Sequence, residues 1–151
     1  MINPERLTVK AGEALNDAVS LARRNGNPVV YDLHLLAALL DQDESIVVPV
    51  LQKLGASVAS LRDQVKRELD RFPKQSDAQP NASRELNQVF DRAEDEAKKL
   101  GDEYSSTEHL LLALSEVKAE SRNLLTAAGA THDALLEALQ AVRGTHRVTD
   151  Q

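Results

Sequence analysis

The chain has no cysteine and no tryptophan, one methionine, two phenylalanines and two tyrosines among 151 residues. Without cysteine there is no disulfide, no thiolate metal ligand and no thiol nucleophile. With so few aromatics the core must be Leu, Val and Ala, as in packed helices. No apolar run approaches the roughly 18 residues of a membrane-spanning helix. None of the six glycines (Gly12, Gly26, Gly55, Gly101, Gly129, Gly144) is followed by lysine, so the phosphate-cradling loop of many nucleotide-binding proteins is missing. A net charge of −6, with Lys and Arg scattered along the chain, argues against nucleic acid, whose phosphates need a basic face. The stretch Met1–Arg6 lacks the basic-then-apolar order of a secretion signal. These absences lead us to expect a soluble cytoplasmic domain with no nucleic-acid or membrane partner.

What the chain does have is a repetition. His34-Leu35-Leu36-Ala37-Ala38-Leu39 returns 75 positions later (His34 to His109) as His109-Leu110-Leu111-Leu112-Ala113-Leu114. The same shift aligns Thr8 with Ser83, Leu15 with Phe90, Ala18 with Ala93, Ala22 with Ala97 and Gly26 with Gly101. After a slip of one, Leu51, Gly55, Ala56 and Leu61 align with Leu125, Gly129, Ala130 and Leu135. Two copies of one helical unit should bury their apolar faces against each other, with a groove along the seam.

Four long stretches carry helical periodicity. Ala11, Ala14, Leu15, Ala18, Leu21 and Ala22 form one stripe, and Leu86, Val89, Phe90, Ala93, Ala97 and Leu100 form its counterpart. Val58, Leu61, Val65 and Leu69 make a third stripe; Leu135, Ala138, Leu139 and Val142 make the fourth. Shorter apolar helices are expected near 32–40, 47–54, 107–115 and 122–128. Asp32, Thr107 and Thr131 are the expected N-caps, because their oxygens can accept an orphan amide bond. Residues 72–81, with Pro73 and Pro80, read as a linker between repeat one (6–71) and repeat two (82–146). Residues 147–151 read as the start of a further connection, giving a domain over 1–146.

Catalytic chemistry is poorly represented. His34 and His109 are repeat equivalents, expected as half-buried histidines bonded near helix starts rather than as metal ligands. No HExxH spacing occurs, and no serine has nucleophile-elbow flanks. Asp41, Asp43 and Glu44 read as a solvated turn. Asp91, Glu94, Asp95 and Glu96 read as a solvated helix face, on which Arg92 and Glu96 can pair. The expectation is a protein that is not an enzyme in this segment and holds no metal.

Four features together resemble the N-terminal domain of the ClpB family of bacterial AAA+ disaggregases. They are the duplicated unit, the string Ser106-Thr107-Glu108-His109-Leu110-Leu111, the junction Leu69-Asp70-Arg71-Phe72-Pro73, and Val142-Arg143-Gly144 followed by Arg147-Val148-Thr149. The resemblance spans essentially the whole chain. It implies an all-α fold of eight helices in two pseudo-symmetric four-helix repeats. It also implies a substrate-recognition role: binding unfolded or aggregated polypeptide and aiding its delivery to the pore of a homohexameric ring. The ATP and magnesium would belong to the ATPase domains of that longer protein, and the DnaK system would be a partner through it. The isolated domain is expected to be monomeric.

By the same resemblance, Thr8, Asp102 and Glu108 match positions used in substrate handling. Arg92, Glu96 and His109 stand where some family members line the inter-repeat groove with apolar side chains. Either the groove here is more polar, and then binds weakly and with salt dependence, or its apolar lining comes from other positions, with Tyr104 one candidate; binding is sought mainly on repeat two beside Thr8. Replacing Thr8 or Glu108 by Ala is expected to weaken binding at unchanged thermal stability. Two alternatives accompany this reading: an adaptor-docking domain of a ClpC-type unfoldase, and a helical scaffold that gates the ring without binding. The ClpC-type recognition of phosphorylated arginine uses an acidic residue in each repeat, and Leu33 breaks the pair with Glu108.

Overall fold

The computed structural model describes residues 2–77, 79–144 and 149. The expected tail, including His146 and Arg147, lies almost wholly outside the described residues. Among the described residues there are eight helices, four per repeat, as the all-α expectation required. They are α1 (Val9–Arg24), α2 (Asp32–Asp41), α3 (Val47–Lys53), α4 (Val58–Leu69), α5 (Arg84–Lys99), α6 (Thr107–Leu114), α7 (Glu120–Ala127) and α8 (His132–Arg143). A 3-10 turn, Pro4–Arg6, precedes them.

Hydroxyl side chains start the four longer helices. Thr8, Ser57, Ser83 and Thr131 accept the backbone N–H three residues on, at 3.2, 3.2, 3.0 and 3.3 Å. Each satisfies one amide that the helix itself leaves orphaned. The central helices are apolar all round, which marks a helix for the interior. Every residue of α6 is buried, and in α2 only Ala37 and the terminal Asp41 are not. Helices α2 and α6 pack together at the middle, with α1 against α2 and α5 against α6. The seam is also crossed where α3 lies on α8 and α4 on α7, and by α2 on α5 and α7 and α6 on α1 and α3.

The chain segments also exchange partners. Val29–Val30 (β1) pairs in parallel with Asn81–Ala82 (β2), and Leu7 bridges Ser105. Under the repeat shift Leu7 becomes Ala82 and Ser105 becomes Val30, so both are the same contact. In each, the residue before a repeat's first helix holds the approach to the other repeat's second helix. The linker reading of 72–81 thus needs one correction: its end is the strand residue Asn81. Inside the linker, Gln75 N–H donates to the carbonyl of Gly26 at 2.8 Å. Gly26 has φ +70°, and a Cβ there would stand 3.3 Å from the Gln75 carbonyl. That position needs glycine for both conformation and space.

Candidate functional site

Both histidines sit at the third position of their helix, and each Nδ1 accepts the backbone N–H of the N-cap residue. Tyr31 N–H donates to His34 Nδ1 and Ser106 N–H to His109 Nδ1, each at 2.8 Å. The N-caps are therefore Tyr31 and Ser106, not Asp32 and Thr107, which are the first helical residues. The imidazole reaches back as Glu or Gln does in a capping box, and that moves each helix start by one. The backbone donor fixes the tautomer, since Nδ1 must be bare and Nε2 must carry the hydrogen. His34 Nε2 donates to Asn27 Oδ1 at 2.9 Å, and His109 Nε2 donates to Asp102 Oδ2 at 2.7 Å. Both rings are fully buried rather than half-buried, and burial pushes the His34 pKa down from 6.5 to about 4.

The second junction extends further than the first. Thr8 Oγ1 lies 3.3 Å from Ser106 Oγ, joining the starts of α1 and α6. Asp102 Oδ1 accepts from the Arg143 guanidinium, whose other nitrogen is 3.8 Å from Glu108 Oε2. One relay thus runs Thr8–Ser106–His109–Asp102–Arg143–Glu108. It brings four of the seven sequence candidates together, with exposures of 7% for Thr8, 6% for Asp102, 6% for Glu108 and 0% for His109. Because Thr8 caps α1, its loss costs about 1 kcal/mol of helix stability. Thr8→Ala therefore does not leave stability unchanged. Ser106 and Arg143 joined the relay unforeseen. The signal for Arg143 was its place as the basic residue in the last turn of α8.

Tyr104 stands apart, half-buried, with the Arg6 guanidinium 5.8 Å from its ring centroid. Arg92 and Glu96 form a different cluster. Glu96 is buried at 3% exposure, which corrects its reading as solvated. Its carboxylate takes His132 Nε2 at 2.7 and 2.9 Å, with Arg92 Nε 3.8 Å away. Arg92 and His132 also approach Glu116, at 3.9 and 3.7 Å. His132 supplied no signal in the sequence, because its partner comes from another helix.

The equivalent place in repeat one differs in kind. Leu21 stands for Glu96 and Val58 for His132. The result is an open groove of about 320 Å³ between α1, α2 and α4, floored by Leu21, Ala37, Leu40, Val65 and Leu69. Asp41, Arg62, Asp63, Lys66 and Asp70 form its rim, with Arg62 Nε 3.3 Å from Asp41. An open apolar groove thus lies within repeat one. Among the described residues no group of three or more His, Asp and Glu is placed to hold a metal. No described helix is long and apolar enough to cross a membrane.

The profile of the Clp repeat (R) N-terminal domain matches residues 6–128. The chaperone protein ClpB of Corynebacterium glutamicum is 40% identical over 147 residues, covering 95% of this chain. That of Mycobacterium tuberculosis is 41% identical over 144 residues, covering 94%. The chain spans 17% of the length of each of these relatives. The Hsp104 N-terminal domain from Candida albicans superposes with a TM-score of 0.82 at 24% identity, covering 95% of both chains. A ClpV N-domain in complex with a VipB peptide gives 0.73 at 23% identity, covering 92% of this chain and 88% of that one.

Proposed function

Because this chain belongs to the Clp repeat N-terminal domain family, we propose that it is the polypeptide-capturing domain of a ClpB-type protein disaggregase. It is a Clp N-terminal domain by itself. In this proposal, ATP hydrolysis, the hexameric ring, work with the DnaK system and a cytoplasmic setting belong to the longer protein. The observation that carries the reading is the repeat-one groove. In repeat two the Glu96–His132 pair makes the corresponding region polar, with a cleft of about 300 Å³ lined by Ser115, Glu116 and His132, whereas in repeat one Leu21 and Ala37 make it apolar.

Two or three aliphatic side chains fit such a volume. Each buried one contributes about 1.5–3 kcal/mol, and association and ordering offset much of that. Capture is therefore weak, on the order of micromolar to millimolar, and suits a machine that must let go. The peptide complex of the ClpV neighbour supports polypeptide as the ligand class for this fold.

The test is fluorescence anisotropy of a permanently unfolded polypeptide titrated with the domain. Leu21→Glu and Ala37→Leu each install the repeat-two residue at the groove. We expect both to weaken binding at least tenfold while the thermal midpoint stays within a few degrees. If wild type does not bind at any concentration reached, the scaffold alternative takes over. Unimpaired binding by both variants removes the groove from the reading.

A further inference from the structure

We propose that Asn25–Gly26 is a self-modification site on the wall of the repeat-one groove, where deamidation turns an amide into a carboxylate and lowers capture. The inference rests on the groove as the capture site for its effect, and on the chain's own sequence for its chemistry. The chain has seven asparagines, and only Asn25 is followed by glycine. Asn3 and Asn27 precede proline, whose nitrogen has no hydrogen to lose. Asn16, Asn87 and Asn123 lie inside helices, and Asn81 precedes alanine. Asn25 is half-buried and lines the groove with Leu21 and Leu69. Its side-chain amide has no hydrogen-bond partner among the described residues.

In the reaction the Gly26 backbone nitrogen loses its proton and attacks Asn25 Cγ. A C–N bond forms, the Cγ–Nδ2 bond breaks, and Nδ2 leaves as ammonia carrying that proton. The five-membered succinimide then takes up water. Opening at one carbonyl gives aspartate, and opening at the other gives isoaspartate, whose main chain runs through the side-chain carbon. Glycine matters because it has no Cβ to crowd the attack.

The fold sets the rate. Asn25 ends α1 at ψ −3°, and ring closure needs ψ to swing away from that value. A Schellman turn resists the swing, with Gly26 N–H donating to Arg23 O at 3.1 Å and Asn27 N–H to Ala22 O at 2.8 Å. Gln75 of the linker adds its N–H to the Gly26 carbonyl at 2.8 Å. Reaction therefore waits on opening of the last turn of α1, the part of a helix that opens most readily. The product acts on the groove in two ways. A carboxylate on this wall sheds water when an aliphatic side chain is seated, which opposes binding. Isoaspartate also lengthens the main chain by one carbon inside the turn that anchors Leu21. Repeat two has no such site, because Leu100 (φ −90°, ψ 0°) makes the same turn before Gly101 (φ +74°).

The test ages the full chain in mildly alkaline buffer and separates modified from unmodified protein by ion exchange. Peptide mass spectrometry should find a gain of one dalton at Asn25 ahead of every other asparagine, with isoaspartate detected by enzymatic carboxyl methylation. In urea at the same pH, Asn25 should react at least tenfold faster, because nothing holds the turn. The modified fraction should bind a permanently unfolded polypeptide at least threefold more weakly than the unmodified fraction of the same incubation. Asn25→Leu carries the repeat-two residue and has no amide to lose. Whatever affinity it starts with, ageing should leave it there.

An Asn25 that reacts no faster than Asn81, equal rates in urea and in the fold, or modified protein that captures as well as unmodified each overturns the proposal. So does an equal loss of binding in aged Asn25→Leu. If fresh wild type captures no polypeptide, the functional reading falls, while the mass and urea arms still decide the modification site.

Discussion

His34 is a buried base that must stay neutral to do its work, because its Nδ1 lone pair caps the amide of Tyr31. In the unfolded chain its pKa is near 6.5, and in the fold burial holds it at about 4. Between those values the unfolded chain binds a proton that the folded chain refuses. The contribution of His34 is therefore full above about pH 6.5, declines as pH falls toward 4, and levels off below that. The total loss is about 3 kcal/mol. Gln at this position keeps an acceptor for the cap and does not titrate. His34→Gln should cost about 1 kcal/mol at pH 7.5. The stability gap from wild type should then shrink, and reverse, as urea titrations move to pH 4.5. A gap independent of pH means His34 is not the titrating group. The sequence revealed the two histidines as equivalents at helix starts. It did not reveal their depth or the shifted caps, because a histidine in the capping role lacks the Ser/Thr–Glu/Gln signature of a start.

At the scale of elements, the helices were legible and their mutual restraints were not. The stripes of Leu, Val and Ala at three- and four-residue spacing and the shorter apolar runs placed all eight helices, with the α8 stripe beginning at Leu135, three residues inside the helix start at His132. Asp32 shows what that reading misses. Its side chain does not cap its own helix. Its Oδ2 accepts from Ser121 N–H at 2.9 Å, in the first turn of α7 on the other repeat. A carboxylate there satisfies an orphan amide and suits the positive end of the helix dipole. No local pattern reports a bond between residues 89 positions apart. Asp32→Ala should lower the urea midpoint by an amount equivalent to about 1–2 kcal/mol, with the denaturant slope unchanged. Asp32→Asn should lose less, since an acceptor remains. Amide exchange at Ser121 should quicken in both, more in the alanine variant. Equal losses with Ser121 unaffected would show that Asp32 acts locally.

Over the whole molecule, duplication supplied one architecture and divergence supplied two different surfaces. Glu96 was legible as charged but not as buried, because only the tertiary placement of α8 brings His132 onto it. The repeat-two cluster can be treated as a polar lining whose replacement should regenerate the repeat-one surface. His132→Val alone leaves the Glu96 carboxylate buried, with Arg92 at 3.8 Å as its remaining cation, and should cost about 3 kcal/mol. Glu96→Leu alone leaves His132 beside Glu116 at 3.7 Å and should cost less. The double change installs the Leu21–Val58 pair of repeat one and should be nearly neutral, since a packed apolar pair replaces a buried ionic one without loss. The double-mutant cycle then gives a coupling of about 3 kcal/mol or more. Such a domain should hold two grooves, and calorimetric titration with short aliphatic peptides should change from one site to two. Added salt should barely weaken either site, because apolar contact rather than ion pairing drives it. A large coupling with a single binding site would mean that the ionic pair is structural and that the repeat-one groove owes its capacity to features beyond these two positions.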